Sequence, residues 1–142
     1  MTETGYKYGC ALVIDDDSTD TYINRRILEL TMFAKNIVVK KSCAEALDYL
    51  KGTSVSSGDI PDVVFLDYFM PVSNGKDFLE KFRELPSQVT GKSRVVMLSG
   101  MDDSVNPQEY DRQFVINSIS KPLTQDKLEK VFSPSVYSGK TL

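Results

Sequence analysis

Five short runs of apolar residues, many of them β-branched, alternate along the chain with stretches that have apolar residues at helical spacing. The runs are typical of buried strands, and they lie at residues 11–14, 37–39, 63–66, 95–98 and 116–120. After the first run, Ile23, Ile27 and Leu30 recur at the i, i+4 and i+7 positions of one helical face. Strands and helices that alternate in this way predict a parallel sheet with helices on both faces.

Each of the five predicted helices begins near a residue whose side chain can cap it. The candidates are Asp17 or Ser18, Ser42 with Glu45 as a capping box, Asn74, Asn106 followed by Pro107, and Thr124. The third helix has Phe78, Phe82 and Leu85 on one face, and the last has Leu128, Val131 and Phe132. We expect a flavodoxin-like, doubly wound α/β fold with five parallel strands in the order 2-1-3-4-5 and five helices.

The length and composition fit one ordinary globular domain. The chain has 142 residues, of which 41% are hydrophobic and 26% charged. We expect the domain at 10–133, between a short N-terminal extension, 1–9, and a short C-terminal tail, 134–142. No apolar run reaches the roughly 20 residues of a membrane-spanning helix, and residues 1–9 lack the pattern of a secretory signal. We therefore expect a cytoplasmic protein that does not bind a membrane. The net charge of −3 and the lack of a basic stripe argue against binding to nucleic acid.

The reactive residue types narrow the chemistry that is possible. The chain has no histidine, which excludes Ser/His and Cys/His catalysis and removes the commonest zinc ligand. Its two cysteines, Cys10 and Cys43, lie outside any CxxC pair, and we expect both to be reduced packing residues. Any chemistry must therefore depend on carboxylates, hydroxyls and lysine.

Polar residues follow four of the predicted strands at their carboxyl ends: Asp15 and Asp16, Asp67, Ser99, and Lys121. In the predicted order the first and third strands are neighbours, so Asp16 and Asp67 can face each other across one crevice. Carboxylates gathered there would repel unless a cation lay between them, and oxygen ligands without histidine point to Mg²⁺. If Asp67 attacked a phosphoryl group, an acyl phosphate would form, with Lys121 to neutralise it and Ser99 to donate to it.

Each of these residues also has a purely structural interpretation. Asp17 is better explained as a helix cap than as part of a site. Lys121 alone would be an ordinary surface lysine, and a serine before glycine, as at Ser99, is common in turns. Asp67 is not explained as a cap, because the residues after it lead into a loop. The prediction of a site therefore depends on the combination.

Four segments of the chain resemble the receiver domain of bacterial response regulators. They are VIDDDST, FLDYFMPVSNG, VVMLSG and SKPL, and they occur in the family's order from Ala11 to Phe132. The resemblance implies a phosphoacceptor rather than an enzyme, loaded by a sensor histidine kinase or a histidine phosphotransfer protein. We expect a stand-alone receiver that signals by onward phosphotransfer, to a downstream target, or as a homodimer. The contact face would be the predicted fourth helix, the fifth strand and the last helix.

The resemblance also implies a role for each residue of the predicted site. The implied roles are Asp67 as phosphoacceptor, Asp15 and Asp16 as the acidic pair with Asp16 a direct Mg²⁺ ligand, the Phe69 carbonyl as a further metal ligand, Ser99 as the switch hydroxyl, and Lys121 as the contact to the phosphoryl group. A cis peptide between Lys121 and Pro122 is implied as well.

Two positions depart from the family pattern. The residue three before the lysine is usually aromatic and moves with the switch hydroxyl, but in this chain it is Ser118. The switch would then act through the Ser99 loop alone or through a nearby aromatic residue such as Phe114. The segment after the phosphoacceptor also differs at 72–75, a loop change that we expect to be tolerated.

Two other functions remain open on the sequence. DDDST also fits the DxDxT motif of haloacid-dehalogenase-like phosphatases, with Asp15 as nucleophile and Asp17 as acid. That family needs a further acidic pair after the lysine, and the only acids beyond Lys121 are Asp126 and Glu129, within a predicted helix. The second alternative is a pseudo-receiver, a binding module that no longer turns over phosphate.

Overall fold

The computed structural model describes residues 5–53, 60–67, 75–100 and 114–132. In chain order its elements are β1 (Tyr8–Ile14), α1 (Ser18–Leu30), β2 (Ala34–Lys40), α2 (Cys43–Thr53), β3 (Val63–Asp67), α3 (Gly75–Phe82), α4 (Ser87–Thr90), β4 (Arg94–Ser99), β5 (Val115–Ser120) and α5 (Gln125–Phe132). Within these ranges, no helix combines the length and apolar character that a membrane crossing requires.

The five strands form one parallel sheet in the order β2-β1-β3-β4-β5. This confirms the doubly wound α/β fold that the alternating pattern predicts. β3 is buried along its whole length, so its sequence is apolar throughout up to Asp67. β2 is longer than the apolar run that predicted it. It is an edge strand with only Ala34 fully buried, and its polar positions shorten the apolar signal.

Two apolar layers cover the two faces of the sheet. Alternate residues of β1, such as Leu12 and Ile14, pack with α2 and α3 on one face. The residues between them, such as Ala11 and Val13, pack with α1 and α5 on the other face. Neither cysteine forms a disulfide, and both are buried, as expected for packing residues. α1 and α5 therefore share one layer, and each begins shortly after the carboxyl end of a strand.

Three of the predicted helix caps are present. The acceptor and donor pairs are Asp17 Oδ1 with the Asp20 N–H (2.9 Å), Ser42 Oγ with the Glu45 N–H (3.1 Å) and Thr124 Oγ1 with the Lys127 N–H (3.2 Å). The predicted helix starts at Asn74 and Asn106 lie outside the described residues. α4 was not predicted, because four residues are too few to show a helical period. Leu85 is buried as predicted, although α3 ends before it.

One polar side chain is buried in the α1 layer without a hydrogen-bond partner in the described structure. Asn24 is 1% exposed, and neither its Nδ2 nor its Oδ1 has a partner. It lies one helical turn before Leu28, which is fully buried in the core. A buried amide that loses its hydrogen bonds with water costs about 1–3 kcal/mol. Asn24 therefore lowers the stability of the fold.

We expect the substitution Asn24→Leu to raise the free energy of unfolding by about 1 kcal/mol or more, because a buried apolar side chain of similar size needs no partner. Urea-induced unfolding monitored by circular dichroism measures the change. The control is Asn36→Leu on β2, where the side chain is exposed and no desolvation is relieved. A loss of stability in Asn24→Leu, with Asn36→Leu unchanged, would contradict the assignment.

Candidate functional site

The sheet register brings four strand ends together at one edge. Ile14 of β1 pairs with Leu66 of β3, so Asp15 and Asp67 follow neighbouring residues on adjacent strands. Across β4 and β5, the Lys121 N–H donates to the Ser99 carbonyl at 2.7 Å. The carboxyl ends of β1, β3, β4 and β5 thus place two acids, a hydroxyl and a lysine at the edge where doubly wound sheets bind ligands.

Three carboxylates converge at this edge. Asp15, Asp16 and Asp67 each offer one oxygen, and these oxygens lie within 4.8 Å of one another. Asp15 is 0% and Asp67 6% exposed, whereas Asp16 is exposed to solvent. Hard oxygen donors with one open side fit Mg²⁺, which binds through one or two carboxylates and keeps several waters. The donor set therefore fits the predicted ion. Phe69, the fourth predicted ligand, lies outside the described residues.

The Lys121 ammonium lies among three carboxylates. Its Nζ is 2.7 Å from Asp20 Oδ2, 3.2 Å from Asp15 Oδ2 and 3.4 Å from Asp67 Oδ2. The Lys121 side chain is only 15% exposed, so water screens these contacts less than it screens ordinary surface ion pairs. The Lys121–Pro122 peptide is cis, as the resemblance implies. The ammonium of Lys121 therefore lies between the first turn of α1 and the phosphoacceptor candidate on β3.

The first turn of α1 holds two of these acids in place. The Asp17 N–H donates to Asp15 Oδ1 at 2.9 Å, while the Asp17 carboxylate caps the helix at the Asp20 N–H. Asp17 is therefore a helix cap, as its structural interpretation held. The capped turn directs the Asp20 side chain at Lys121, a contact that no sequence motif predicted.

Burial and charge shift the pKa values of two groups. Burial raises the pKa of the Asp15 carboxyl from 3.8 to about 6; the charge of Asp67 adds to this rise, while the Asp17 N–H and Lys121 oppose it. Burial alone would lower the pKa of Lys121, but the hydrogen bond with Asp20 and the charges of Asp15 and Asp67 raise it above its ordinary value. Lys121 therefore stays a cation, and Asp15 is ionised at some cost to the fold.

Ser118, which occupies the position three before Lys121 where the family usually has an aromatic residue, lies on β5. Ser118 is half-buried and pairs in register with Met97 of β4. Phe114, the alternative that the sequence offers, precedes β5 and packs in the core against Phe82, with ring centroids 5.3 Å apart. Phe114 thus belongs to the α2 and α3 face of the sheet.

The geometry gives no support to the phosphatase alternative. Its acid, Asp17, caps α1 instead of facing the site. Asp126 and Glu129, the acids after the lysine, lie exposed within α5. They offer no second acidic pair at the sheet edge.

The fold resembles several solved structures. A two-component response regulator from Cytophaga hutchinsonii aligns with a TM-score of 0.77 and 25% identity, over 93% of this chain and 98% of that chain. A two-component response regulator from Legionella pneumophila gives 0.70 and 24%, over 94% and 99%. A response regulator receiver domain protein from Clostridium thermocellum gives 0.63 and 28%, over 94% and 98%. No curated protein sequence matches the chain.

The structure is thus a doubly wound parallel sheet with three carboxylates and a lysine at one edge. The model of the response regulator receiver domain family matches residues 11–133. The chain belongs to this family and contains the receiver domain of a two-component response regulator. Domains of this family typically bind Mg²⁺ and interact with histidine kinases or phosphotransfer proteins.

Without metal, we expect Asp15→Asn to raise the free energy of unfolding by about 2–3 kcal/mol at neutral pH, because the native fold must ionise a carboxyl whose pKa is about 6. The pH dependence has a defined sign. At low pH, Asp15 is protonated in both states and the two proteins differ little. As the pH rises from 3.8 to about 6, only the unfolded chain loses this proton. The free energy of unfolding of the chain with Asp15 therefore decreases relative to that of Asp15→Asn, and the difference persists above that range.

Urea unfolding of the native and Asp15→Asn proteins across this pH range measures the difference. The control is Asp48→Asn, an exposed carboxylate on α2 that should show no such pH-dependent gain. Saturating Mg²⁺ should reduce the difference in the free energy of unfolding between the native and Asp15→Asn proteins, because an ion that binds the native fold stabilises it by mass action. Equal stabilities of the two proteins at neutral pH would show that burial does not destabilise the Asp15 carboxylate.

Proposed function

We propose that Asp67 accepts a phosphoryl group from a phosphohistidine of a sensor histidine kinase or a histidine phosphotransfer protein. An Asp67 carboxylate oxygen forms a bond to phosphorus, the bond from phosphorus to the histidine nitrogen breaks, and the imidazole leaves as a neutral ring after taking a proton from solvent. The observation that carries the proposal is the convergence of Asp15, Asp16, Asp67 and Lys121 at one sheet edge in a chain of the receiver family.

Asp15, Asp16, Asp67 and the carbonyl of Phe69 would hold one Mg²⁺. When bound, the ion supplies positive charge to the oxygens of the phosphoryl group. Asp16 is the exposed member, so its side of the site is open to the waters that Mg²⁺ retains. The buried Asp15 and Asp67 give the site its fixed position at the carboxyl ends of β1 and β3.

Lys121 and Ser99 contact the phosphoryl group after it has reached Asp67. The Lys121 ammonium is already 3.4 Å from Asp67 Oδ2, so a small movement brings it to a phosphoryl oxygen. The Ser99 hydroxyl, at the end of β4, donates to a second phosphoryl oxygen and draws its loop towards the site. Both contacts exist only in the phosphorylated state and therefore favour one conformation of the domain.

The domain acts as a phosphoacceptor and not as an enzyme with an external substrate. Its own residues promote both the formation and the hydrolysis of the acyl phosphate. The signal leaves by protein contact, onward phosphotransfer or homodimerisation, through the face formed by the predicted fourth helix, β5 and α5. On this face Ile116 of β5 is 40% exposed, which gives the surface an apolar contact point.

We expect the native chain to gain one labile phosphoryl group when it is incubated with acetyl phosphate and Mg²⁺, as measured by intact mass. Asp67→Asn should abolish the label, because an amide oxygen is a poor nucleophile. Asp15→Asn should reduce the label without abolishing it. The control is Asp77→Asn, an exposed acid on α3 that should label like the native chain.

Each remaining outcome favours a different function. Labelling that survives Asp67→Asn and disappears in Asp15→Asn would support the phosphatase-like chemistry. A native chain that takes no label at any Mg²⁺ or donor concentration would support the pseudo-receiver.

A further inference from the structure

The shortest contact of the Lys121 ammonium is with an acid outside the carboxylate group of the site. Asp20 Oδ2 lies 2.7 Å from Nζ, compared with 3.4 Å for Asp67 Oδ2. Among the described residues, the group that could hold a metal comprises Asp15, Asp16 and Asp67 and does not include Asp20. Asp20 is therefore not one of the candidate metal ligands.

The position of Asp20 is set by the start of α1. The Asp17 carboxylate holds the Asp20 N–H at 2.9 Å, which fixes the backbone of the first turn. Further along the same face of α1, Asn24 and Leu28 are buried in the layer shared with α5. The Asp20 side chain is 36% exposed and that of Lys121 15%, so their ion pair is partly shielded from water.

A phosphoryl group on Asp67 needs the same ammonium. Lys121 has three N–H donors, which in the structure face Asp20, Asp15 and Asp67. A cation bound by Asp15 and Asp67 would weaken the attraction of these two carboxylates for the lysine. The attraction between Asp20 and the lysine would not be weakened in this way. The charge of Asp20 also opposes the approach of an anionic phosphodonor.

From these contacts we infer that Asp20 is a positioning residue that retains Lys121 on the α1 side of the site and competes with the phosphoryl group for it. This inference rests on the proposed function, because it assigns Asp20 a part in the phosphorylation of Asp67. Asp20 thereby raises the concentration of anionic phosphodonor at which phosphorylation is half-saturated.

The test compares three variants at saturating Mg²⁺. Asp20→Asn keeps the shape of the side chain and removes its charge. We expect the half-saturating concentration of acetyl phosphate to fall about three- to tenfold, and the affinity for beryllofluoride, a phosphoryl mimic, to rise by a similar factor. The maximal rate should change less than the half-saturating concentration, because the charge acts mainly on donor binding.

Asp20→Glu and Glu29→Gln are the matched controls. Asp20→Glu restores the charge at the same position and should return both values towards those of the native chain. Glu29→Gln removes a charge from the same helix about 13 Å along its axis. Glu29 has a similar exposure of 40% and pairs with Arg25 and Arg26 instead of Lys121. It should leave the half-saturating concentration unchanged.

A second measurement needs neither metal nor donor. In the metal-free protein, Asp20→Asn should be more destabilising when Lys121 is present than in a Lys121→Met background, because only the first change breaks the ion pair. Urea unfolding of the native chain, the two single variants and the double variant gives this difference. Additive effects would show that Asp20 does not hold the lysine, and they would overturn the inference.

The outcomes separate the two proposals. If the native chain is labelled on Asp67 but Asp20→Asn leaves the half-saturating concentration unchanged or raises it, the inference about Asp20 is wrong and the proposed function stands. If the native chain is not labelled at all, the proposed function fails and the inference fails with it.

Discussion

The burial of like charges around one lysine is the constraint on which the rest of the structure depends. Parallel strands carry Asp15 and Asp67 to the same edge of the sheet, where Asp15 is fully buried and Asp67 almost fully buried. β5 brings Lys121 from the edge of the sheet to within 3.2 Å of Asp15 and 3.4 Å of Asp67. Because buried like charges repel each other, the strands that carry them must be anchored firmly.

The two apolar layers supply that anchorage. β1 and β3 are central in the sheet and are packed on both faces, so the acids at their ends cannot move apart to relieve their repulsion. The raised pKa of Asp15 reflects the free-energy cost of ionising this carboxyl in its buried position. Among the described residues, Asn24 is buried in the layer formed by α1 and α5 without a hydrogen-bond partner, which adds a second cost. The apolar core offsets both costs.

The sequence predicted most of the fold because fully buried parallel strands are apolar throughout and end abruptly at polar residues. β1, β3 and β4 are of this kind, and the residues that end them are the site residues. β2 and α4 were less predictable, since an edge strand is half-polar and a helix of four residues has no period. Asp20 could not be found from the sequence, because an acid in a first helical turn is fully explained by the helix dipole. Only the folded structure, in which Asp20 Oδ2 lies 2.7 Å from Lys121 Nζ, shows that it faces the lysine.

The absence of an aromatic residue at position 118 changes how this edge is joined to β5. Ser118 has no ring to carry a movement, and Phe114 packs in the core on the α2 and α3 face of the sheet. The described link between the ends of β4 and β5 is made by the backbone, through the 2.7 Å hydrogen bond from the Lys121 N–H to the Ser99 carbonyl. Under the proposed function, a displacement of Ser99 would therefore act directly on the residue whose ammonium contacts the phosphoryl group. Asp20 is joined to the same residue through its ion pair with Lys121.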